Sequence, residues 1–283
     1  MIIVKIKGGL GNQMFQHALG KRLSLDWGQE LKYDLSWFKN IKNGETTRVL
    51  GISDFNIDIK EATQIEIKKN TPNIFFIFLN KIKTRLNKNI FFKFNPRLIK
   101  KKKGTFLDGY FQSHEYFDSI RKELLNDFTL KNGYSQVAQK QKDEIISSDN
   151  SVGLHIRRGD FVTSCKDYNG LCSLNYYKEA LSIIKQKYPK IKIFVFSDDI
   201  EWAKENIKFA DPMFFVSGQG FSDAEEMLLM SLCKHQIIAN STFSWWSAWL
   251  NKNNDKIVVS PKKWLVVVDI DTSDLLPTEW IKI

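Results

Sequence analysis

The 283-residue chain has little cysteine, little proline and no long apolar run. Cys165, Cys172 and Cys233 are its only cysteines. An odd, sparse set excludes a disulfide framework and a four-thiolate zinc site, and reads as reduced thiols in a cytosolic protein. With 6 prolines and 15 glycines, collagen-like and low-complexity classes are excluded. The longest apolar runs, such as Ile74–Leu79, fall far below the ~18 residues of a membrane span. Met1–Lys7 passes straight into Gly8-Gly9, with none of the zones of a signal peptide. The expectation is a cytoplasmic protein, soluble or held only peripherally on the inner face of a membrane.

Acidic residues are missing from one place. Residues 67–107 contain no Asp or Glu but twelve basic residues, so a net charge of +10 leaves −2 for the rest of the chain. The positive excess belongs to this segment, where Phe75, Phe76, Phe78, Phe91, Phe92 and Phe94 alternate with the basic side chains. Three readings fit it: a solvated face over core phenylalanines, an RNA-binding surface built from basic and stacking groups, or contact with an anionic membrane. No RNA-binding motif accompanies it. Membrane contact is therefore preferred to nucleic acid.

What is present suits a buried core: 43% hydrophobic and 13% aromatic residues. Residues 2–7 read as a strand and Gly8–Gly11 as a loop. Asn12 is the predicted cap of a helix through Leu25, with Phe15, Leu19 and Leu23 on one face. Gln29–Asp34 and Thr105–Tyr110 read as further strands, and Ser113 starts a helix carrying Phe117, Ile120, Leu124 and Phe128. A second series of strands is predicted at Ser151–Arg157, Lys192–Ser197, Gln236–Ala239 and Lys256–Ser260. Its helices are expected at Tyr176–Tyr188, Asp199–Asn206, from Ser222 to His235, and at Thr242–Asn251. Ser222-x-x-Glu225 forms a capping box. Alternating strands and helices indicate doubly wound parallel sheets. The polar stretch Lys140–Asn150 is the expected boundary, giving a domain over 1–148, with the basic insertion at about 65–103, and another over 149–283.

The sharpest cluster is His155-Ile156-Arg157-Arg158-Gly159-Asp160. It ends a predicted parallel strand, where α/β sheets take their ligands. Two adjacent guanidinium groups there make an anion site, since Arg bonds phosphate bidentately. Asp160 is placed to hold one Arg. The competing reading is an Arg158–Asp160 ion pair with His155 as a satisfied core residue. Gly8-Gly9-Leu10-Gly11-Asn12-Gln13 opens a helix and lets backbone approach a ligand, though it is neither a dinucleotide fingerprint nor a phosphate loop with its Lys. Ser197-Asp198-Asp199 ends another strand and offers a carboxylate to a nucleoside; a divalent metal is the weaker reading, and Asp199 also suits a helix cap. Asn240-Ser241-Thr242-Phe243 leads into a helix N-terminus suited to phosphate. Trp245, Trp246 and Trp249 read as core.

These blocks, with Gly109-Tyr110-Phe111-Gln112-Ser113 and Ser260-Pro261-Lys262-Lys263-Trp264, stand in an order that resembles the bacterial α-1,2-fucosyltransferases of glycosyltransferase family 11. His17 departs from that pattern, which more often has Tyr, and this argues against a shared catalytic base there. The resemblance implies an α/β, GT-B-like fold with two Rossmann-like, doubly wound domains facing across a cleft. The C-terminal domain would hold GDP-β-L-fucose. The implied activity is inverting transfer of fucose to O2 of a terminal galactose on an oligosaccharide or lipid-linked precursor, without metal or other cofactor. By resemblance, Arg157 and Arg158 take the leaving phosphate and Asp198 or Asp199 faces guanine. Ser241, Thr242 and Phe243 lie at the diphosphate, and Gly9, Gly11 and Asn12 reach the donor. His155, Asp160, Ser197 and Asn240 complete the donor set. Asp108, His114 and Glu115 are the candidates for a base. An α-1,6 linkage, and a non-catalytic RNA-binding protein, are the alternatives.

Overall fold

The computed structural model describes residues 1–39, 48–71, 92–100, 105–159, 170–266 and 271–283. Among these the chain forms two compact units. The first comprises Met1–Lys131 and Ile270–Pro277, the second Asn132–Asp269 and Thr278–Ile283. The division thus falls at Lys131/Asn132, before the polar stretch where the sequence placed it. A helix, α4 (Gln136–Ile146), capped by Ser135, overlaps that stretch and buries Ala138 and Ile145.

The first unit holds a parallel sheet in the order β2-β1-β3, from β1 (Ile2–Lys5), β2 (Leu31–Asp34) and β3 (Thr105–Leu107). Helix α1 (Leu10–Trp27) connects β1 to β2. Phe15, Leu19 and Leu23 are buried on one face, as the periodicity predicts. The helix lies close on the sheet: a Cβ at Gly20 would sit 2.6 Å from Val4 Cγ2. Gly9, not Asn12, is the N-cap, and no side chain caps it. Asn12 lies in the first turn. Helix α2 (Gln64–Asn70) carries a capping box between Thr63 and Glu66. Beyond β3, the chain makes short 3-10 turns at His114–Tyr116 and Asp118–Ile120 before α3 (Arg121–Asp127), so the expected single helix from Ser113 is broken. Phe75, Phe76, Phe78 and Phe91 of the basic segment, and Lys101–Lys103, lie outside the described residues.

The second unit has six parallel strands: β4 (Ser151–Ile156), β5 (Lys192–Ser197), β6 (Met213–Phe215), β7 (His235–Ile237), β8 (Val258–Ser260) and β9 (Ile281–Lys282). Their order is β6-β5-β4-β7-β8-β9. This is the doubly wound order 3-2-1-4-5-6, in which the chain reverses direction across the sheet between its first and fourth strands. Helices α5 (Leu174–Lys187), α6 (Ile200–Asn206), α7 (Asp223–Leu232) and α8 (Thr242–Leu250) connect them. Val152, Leu154, Ile156, Ile193 and Val195 are buried on one face of the sheet and Phe194 and Phe196 on the other, as parallel strands require. Trp245 and Trp246 are fully buried, and Trp249 nearly so. No described helix is long and apolar enough to cross a membrane.

Candidate active site

The switch point of the second unit lies between β4 and β7, and of the sequence-predicted donor residues His155, Arg157, Arg158, Ser197, Asp198, Asp199, Asn240, Ser241, Thr242 and Phe243 lie at or just beyond the C-terminal ends of these strands and of β5. β4 ends at Ile156, so Arg157 and Arg158 lie just beyond it. Asp198 follows β5 and holds both: its Oδ1 accepts the backbone N–H of Arg158 at 2.9 Å, and its Oδ2 lies 3.2 Å from Arg157 Nη1. Gly159 makes this approach feasible, since a Cβ there would fall 2.4 Å from Asp198 Oδ2. Arg158 is held separately. Its Nε donates to Asp199 Oδ2 at 3.4 Å, and its guanidinium lies 3.8 Å from the centroid of the Trp202 ring. Asp199 also caps α6, accepting from Trp202 N–H at 3.3 Å. The two aspartates are therefore occupied with arginines and a helix end. Asp160, the expected partner of an Arg, lies outside the described residues.

His155 is buried. Its Nδ1 lies 2.9 Å from Ser244 Oγ, and its ring stacks on Phe243 with centroids 5.2 Å apart. Ser244 Oγ has the backbone carbonyls of Ala239 and Ser241 as acceptors, so it accepts from His155 Nδ1–H and leaves the lone pair at Nε2. Burial, reinforced by Arg157, pushes the imidazole pKa down to about 3. His155 is thus a neutral brace between the end of β4 and the start of α8. Ser241 caps α8, accepting from Phe243 N–H at 3.3 Å, with Thr242 in the first turn. Asn240 is buried in structural bonds: its Nδ2 donates to Trp264 O at 3.1 Å, and Cys172 Sγ lies 3.7 Å from its Oδ1. Burial raises the Cys172 thiol to about 12, so it stays protonated.

Glu226 was not singled out by its sequence context, because the capping box drew attention to Glu225 beside it. The Ser197 backbone N–H donates to Ser217 Oγ at 2.8 Å, and that hydroxyl donates to Glu226 Oε1 at 2.7 Å. Burial, with the charges of Asp223 and Asp198 behind it, pushes the Glu226 carboxyl up to about 7. The only sequence signal for it is a second acid within a predicted helix that opens at the sheet's carboxyl edge.

The glycine-rich turn belongs to the first unit. Gly8 has φ +80, and Gln13 secures the turn by donating to Gly8 O and Val49 O, each at 2.8 Å. Gln16 bonds both backbone groups of Lys7. Gly9 caps α1 and Gly11 lies in its first turn, and Asn12 Oδ1 accepts from Gln112 Nε2 at 2.7 Å. Of the base candidates, Asp108 follows β3 and pairs with Lys7, His114 is bonded to Asp118, and Glu115 is exposed. His17 sits in the core, bonded to Tyr33 Oη at 2.8 Å and Asp127 at 3.1 Å, and burial lowers its pKa.

The sequence model described as "Glycosyl transferase family 11" matches residues 1–283. The chain belongs to glycosyl transferase family 11. Two relatives from Escherichia coli match at nearly full length. The O-antigen biosynthesis glycosyltransferase WbnK is 35% identical over 303 residues, covering 98% of this chain and 99% of that protein. An α-1,2-colitosyltransferase is 33% identical over 296 residues, covering 100% and 99%. A Bos taurus galactoside 2-α-L-fucosyltransferase is 32% identical over 152 residues, 51% of this chain and 41% of that one. Among solved structures, the fucosyltransferase NodZ from Bradyrhizobium superposes with a TM-score of 0.51 at 16% identity, covering 87% of this chain and 91% of its own. That likeness carries the fold, an α/β, GT-B-like architecture of parallel sheets.

Proposed function

We propose that the protein is an inverting galactoside α-1,2-fucosyltransferase, moving L-fucose from GDP-β-L-fucose to O2 of a terminal galactose. The observation that carries this reading is the Arg157–Arg158 pair, held by Asp198 and Asp199 at the switch point of the second unit. An acceptor hydroxyl attacks the anomeric carbon, the bond from that carbon to the phosphate oxygen breaks, and GDP departs with growing negative charge. A guanidinium fixed beforehand offsets that charge without reorganisation, an effect worth about 10²–10³ in rate. The N-terminus of α8 adds backbone N–H groups at Thr242 and Phe243 for the diphosphate. Asp198 and Asp199 act as positioning carboxylates. Glu226 takes the guanine instead, because a carboxylate matches the adjacent N–H donors of its edge. Phosphate neutralisation by the arginines makes the reaction metal-independent. The basic segment places the enzyme on anionic membrane, near lipid-linked acceptors.

The test is GDP release from GDP-fucose in excess EDTA, with and without lactose. Lactose-dependent release that survives EDTA and collapses in Arg157→Ala or Arg158→Ala supports the reading. Release abolished by EDTA assigns the phosphate to a metal.

The full-length likeness to an α-1,2-colitosyltransferase favours one other donor, GDP-colitose. Colitose is fucose without its 3-hydroxyl. A site that hydrogen-bonds that hydroxyl rejects the deoxy sugar strongly, whereas an apolar contact there rejects the hydroxyl only weakly. The ratio of kcat/KM for the two donors decides.

A further inference from the structure

The two arginines at the end of β4 are fixed by different means. Arg157 Nη1 lies 3.2 Å from Asp198 Oδ2, so a carboxylate takes up part of its donor fork. Arg158 has a single long bond, Nε to Asp199 Oδ2 at 3.4 Å, which by itself leaves the guanidinium free to turn. The Trp202 ring supplies the missing restraint. Arg158 Cζ lies 3.8 Å from the ring centroid, a distance at which it can sit only over the ring face. The Arg158 side chain is still 29% exposed, and among the described residues no group accepts from its Nη1 or Nη2.

Trp202 is itself held in place. One carboxylate serves both partners: Asp199 Oδ1 accepts the Trp202 N–H at 3.3 Å, while Oδ2 faces Arg158. The Asp199 N–H in turn donates to Ser197 Oγ at 3.0 Å, which ties the start of α6 to the end of β5. Ala203 and Ile207 are fully buried in the core of the second unit, and Trp202 packs at the rim of that core. On the other side of the first turn, a Cβ at Gly218 would lie 3.1 Å from Ile200 Cγ2, so the loop beyond β6 presses on α6. The ring is therefore carried by a fixed helix.

A ring can do here what a further carboxylate could not. A carboxylate would consume the Nη donors and neutralise the charge. An aromatic face attracts the cation from above, whereas every guanidinium N–H points outward in the guanidinium plane. Stacking thus restrains the side chain and leaves its in-plane donors to an anion. Immobilising an arginine costs rotamer entropy, and a contact made before the ligand arrives removes part of that cost from binding. We infer that Trp202 is a positioning residue for the donor diphosphate, acting through the Arg158 guanidinium; the inference rests on the glycosyl-transfer reading above.

The experiment is GDP calorimetry on the full chain, with donor kinetics and thermal melts, for Trp202→Leu, Trp202→Met, Trp202→Phe, Arg158→Ala, and Trp202→Leu combined with Arg158→Ala. Leucine and methionine keep apolar packing without a ring face, and methionine adapts to an irregular gap. Both are expected to weaken GDP binding by about 5- to 30-fold, the scale of an arginine on a ring in a partly desolvated site. They lower kcat as well, because charge on the departing phosphate grows in the transition state. Phenylalanine restores most of the loss. In the Arg158→Ala background, Trp202→Leu changes GDP affinity by no more than about 2-fold, because its effect requires the guanidinium. A purely packing role would instead lower the melting temperature and weaken GDP equally in both backgrounds. Unchanged GDP affinity in the ring-free variants, no recovery with phenylalanine, or an equal loss with and without Arg158 overturns the inference and leaves the donor reading standing. A wild type that binds no GDP overturns the donor reading, and the inference with it.

Discussion

The side-chain amide of Gln16 bonds both backbone groups of Lys7: its Oε1 accepts the Lys7 N–H at 3.0 Å, and its Nε2 donates to the Lys7 carbonyl at 3.2 Å. Gln16 is fully buried, so both bonds are shielded from water. Gln16→Leu keeps the volume but orphans two backbone groups. Unmet buried groups cost about 1–3 kcal/mol each. The expected result is a loss of about 2–4 kcal/mol in urea unfolding of the first unit, with faster hydrogen exchange at the Lys7 amide. An exchange rate equal to wild type would show that the latch carries no energy.

Arg157→Lys separates charge from geometry. Lysine keeps the positive charge but loses the planar fork that bonds Asp198 and an anion together. Turnover should fall less than in Arg157→Ala, whose expected loss is about 10²–10³. Equal turnover in Lys and Ala variants would mean that charge alone contributes nothing at this position. Steady-state GDP release measures both.

Gly159→Ala tests the Asp198 contact without removing any charge. The added methyl would lie 2.4 Å from Asp198 Oδ2, so the carboxylate must swing away from Arg157. GDP affinity should fall by about 10-fold, the lower end for a hydrogen bond between charged groups, while the melting temperature changes little. Unaltered affinity would sink the positioning role of Asp198.

Two kinds of group give the stability opposite pH slopes. The Glu226 carboxyl has its ordinary value of 4.5 raised to about 7 in the folded protein. The folded state then binds more protons than the unfolded one between these values, so stability is full below 4.5 and declines as pH rises through about 7. The His155 and His235 rings go the other way, with an ordinary value of 6.5 pushed down to about 3 and about 4 by burial. Their contribution is present above 6.5 and is lost as pH falls toward those folded values. Glu226→Gln should therefore gain stability relative to wild type between pH 5 and pH 8, by roughly 2 kcal/mol after allowance for partial exposure. Thermal melts at both pH values give the answer, and a difference independent of pH would remove Glu226 from the titration.

The basic segment makes its own prediction. Co-sedimentation with vesicles should rise with their anionic lipid fraction and fall with salt, since each surface Lys or Arg contributes about 1 kcal/mol. Binding that ignores lipid charge would exclude membrane placement by this segment.

The strands that buried apolar residues on both faces were legible. Lys192–Ser197 was read to the residue, and Ser151–Ile156 to within one. The Ser222–Glu225 capping box was also visible, because both partners lie within one turn. Elements whose identity depends on distant contacts were not. Lys140–Asn150 reads as a polar boundary, yet its first half belongs to the helix Gln136–Ile146, which packs on α7. Met213–Phe215 is three residues long and becomes a strand only through its pairing with β5. The arginine pair was evident in the sequence, but the part that Asp198 and Asp199 play in holding it was not: they lie about forty residues away in the chain and come close because β5 pairs with β4. Glu226 was hidden for the same reason, since Ser217 must bridge it to β5 before its place at the sheet edge is apparent.

The C-terminal thirteen residues divide between the units. Lys93 pairs with Asp271, and Phe94 N–H donates to Asp274 at 2.8 Å, so this stretch serves the first unit. Seven residues after Asp274, Ile281–Lys282 forms the outer strand beside β8 of the second. A chimera that exchanges donor units between relatives with a single crossover near Lys131 would therefore assemble the first unit from mismatched parents. Clean exchange needs a second crossover near Pro277, and without it a loss of activity would report a broken joint rather than a change of donor.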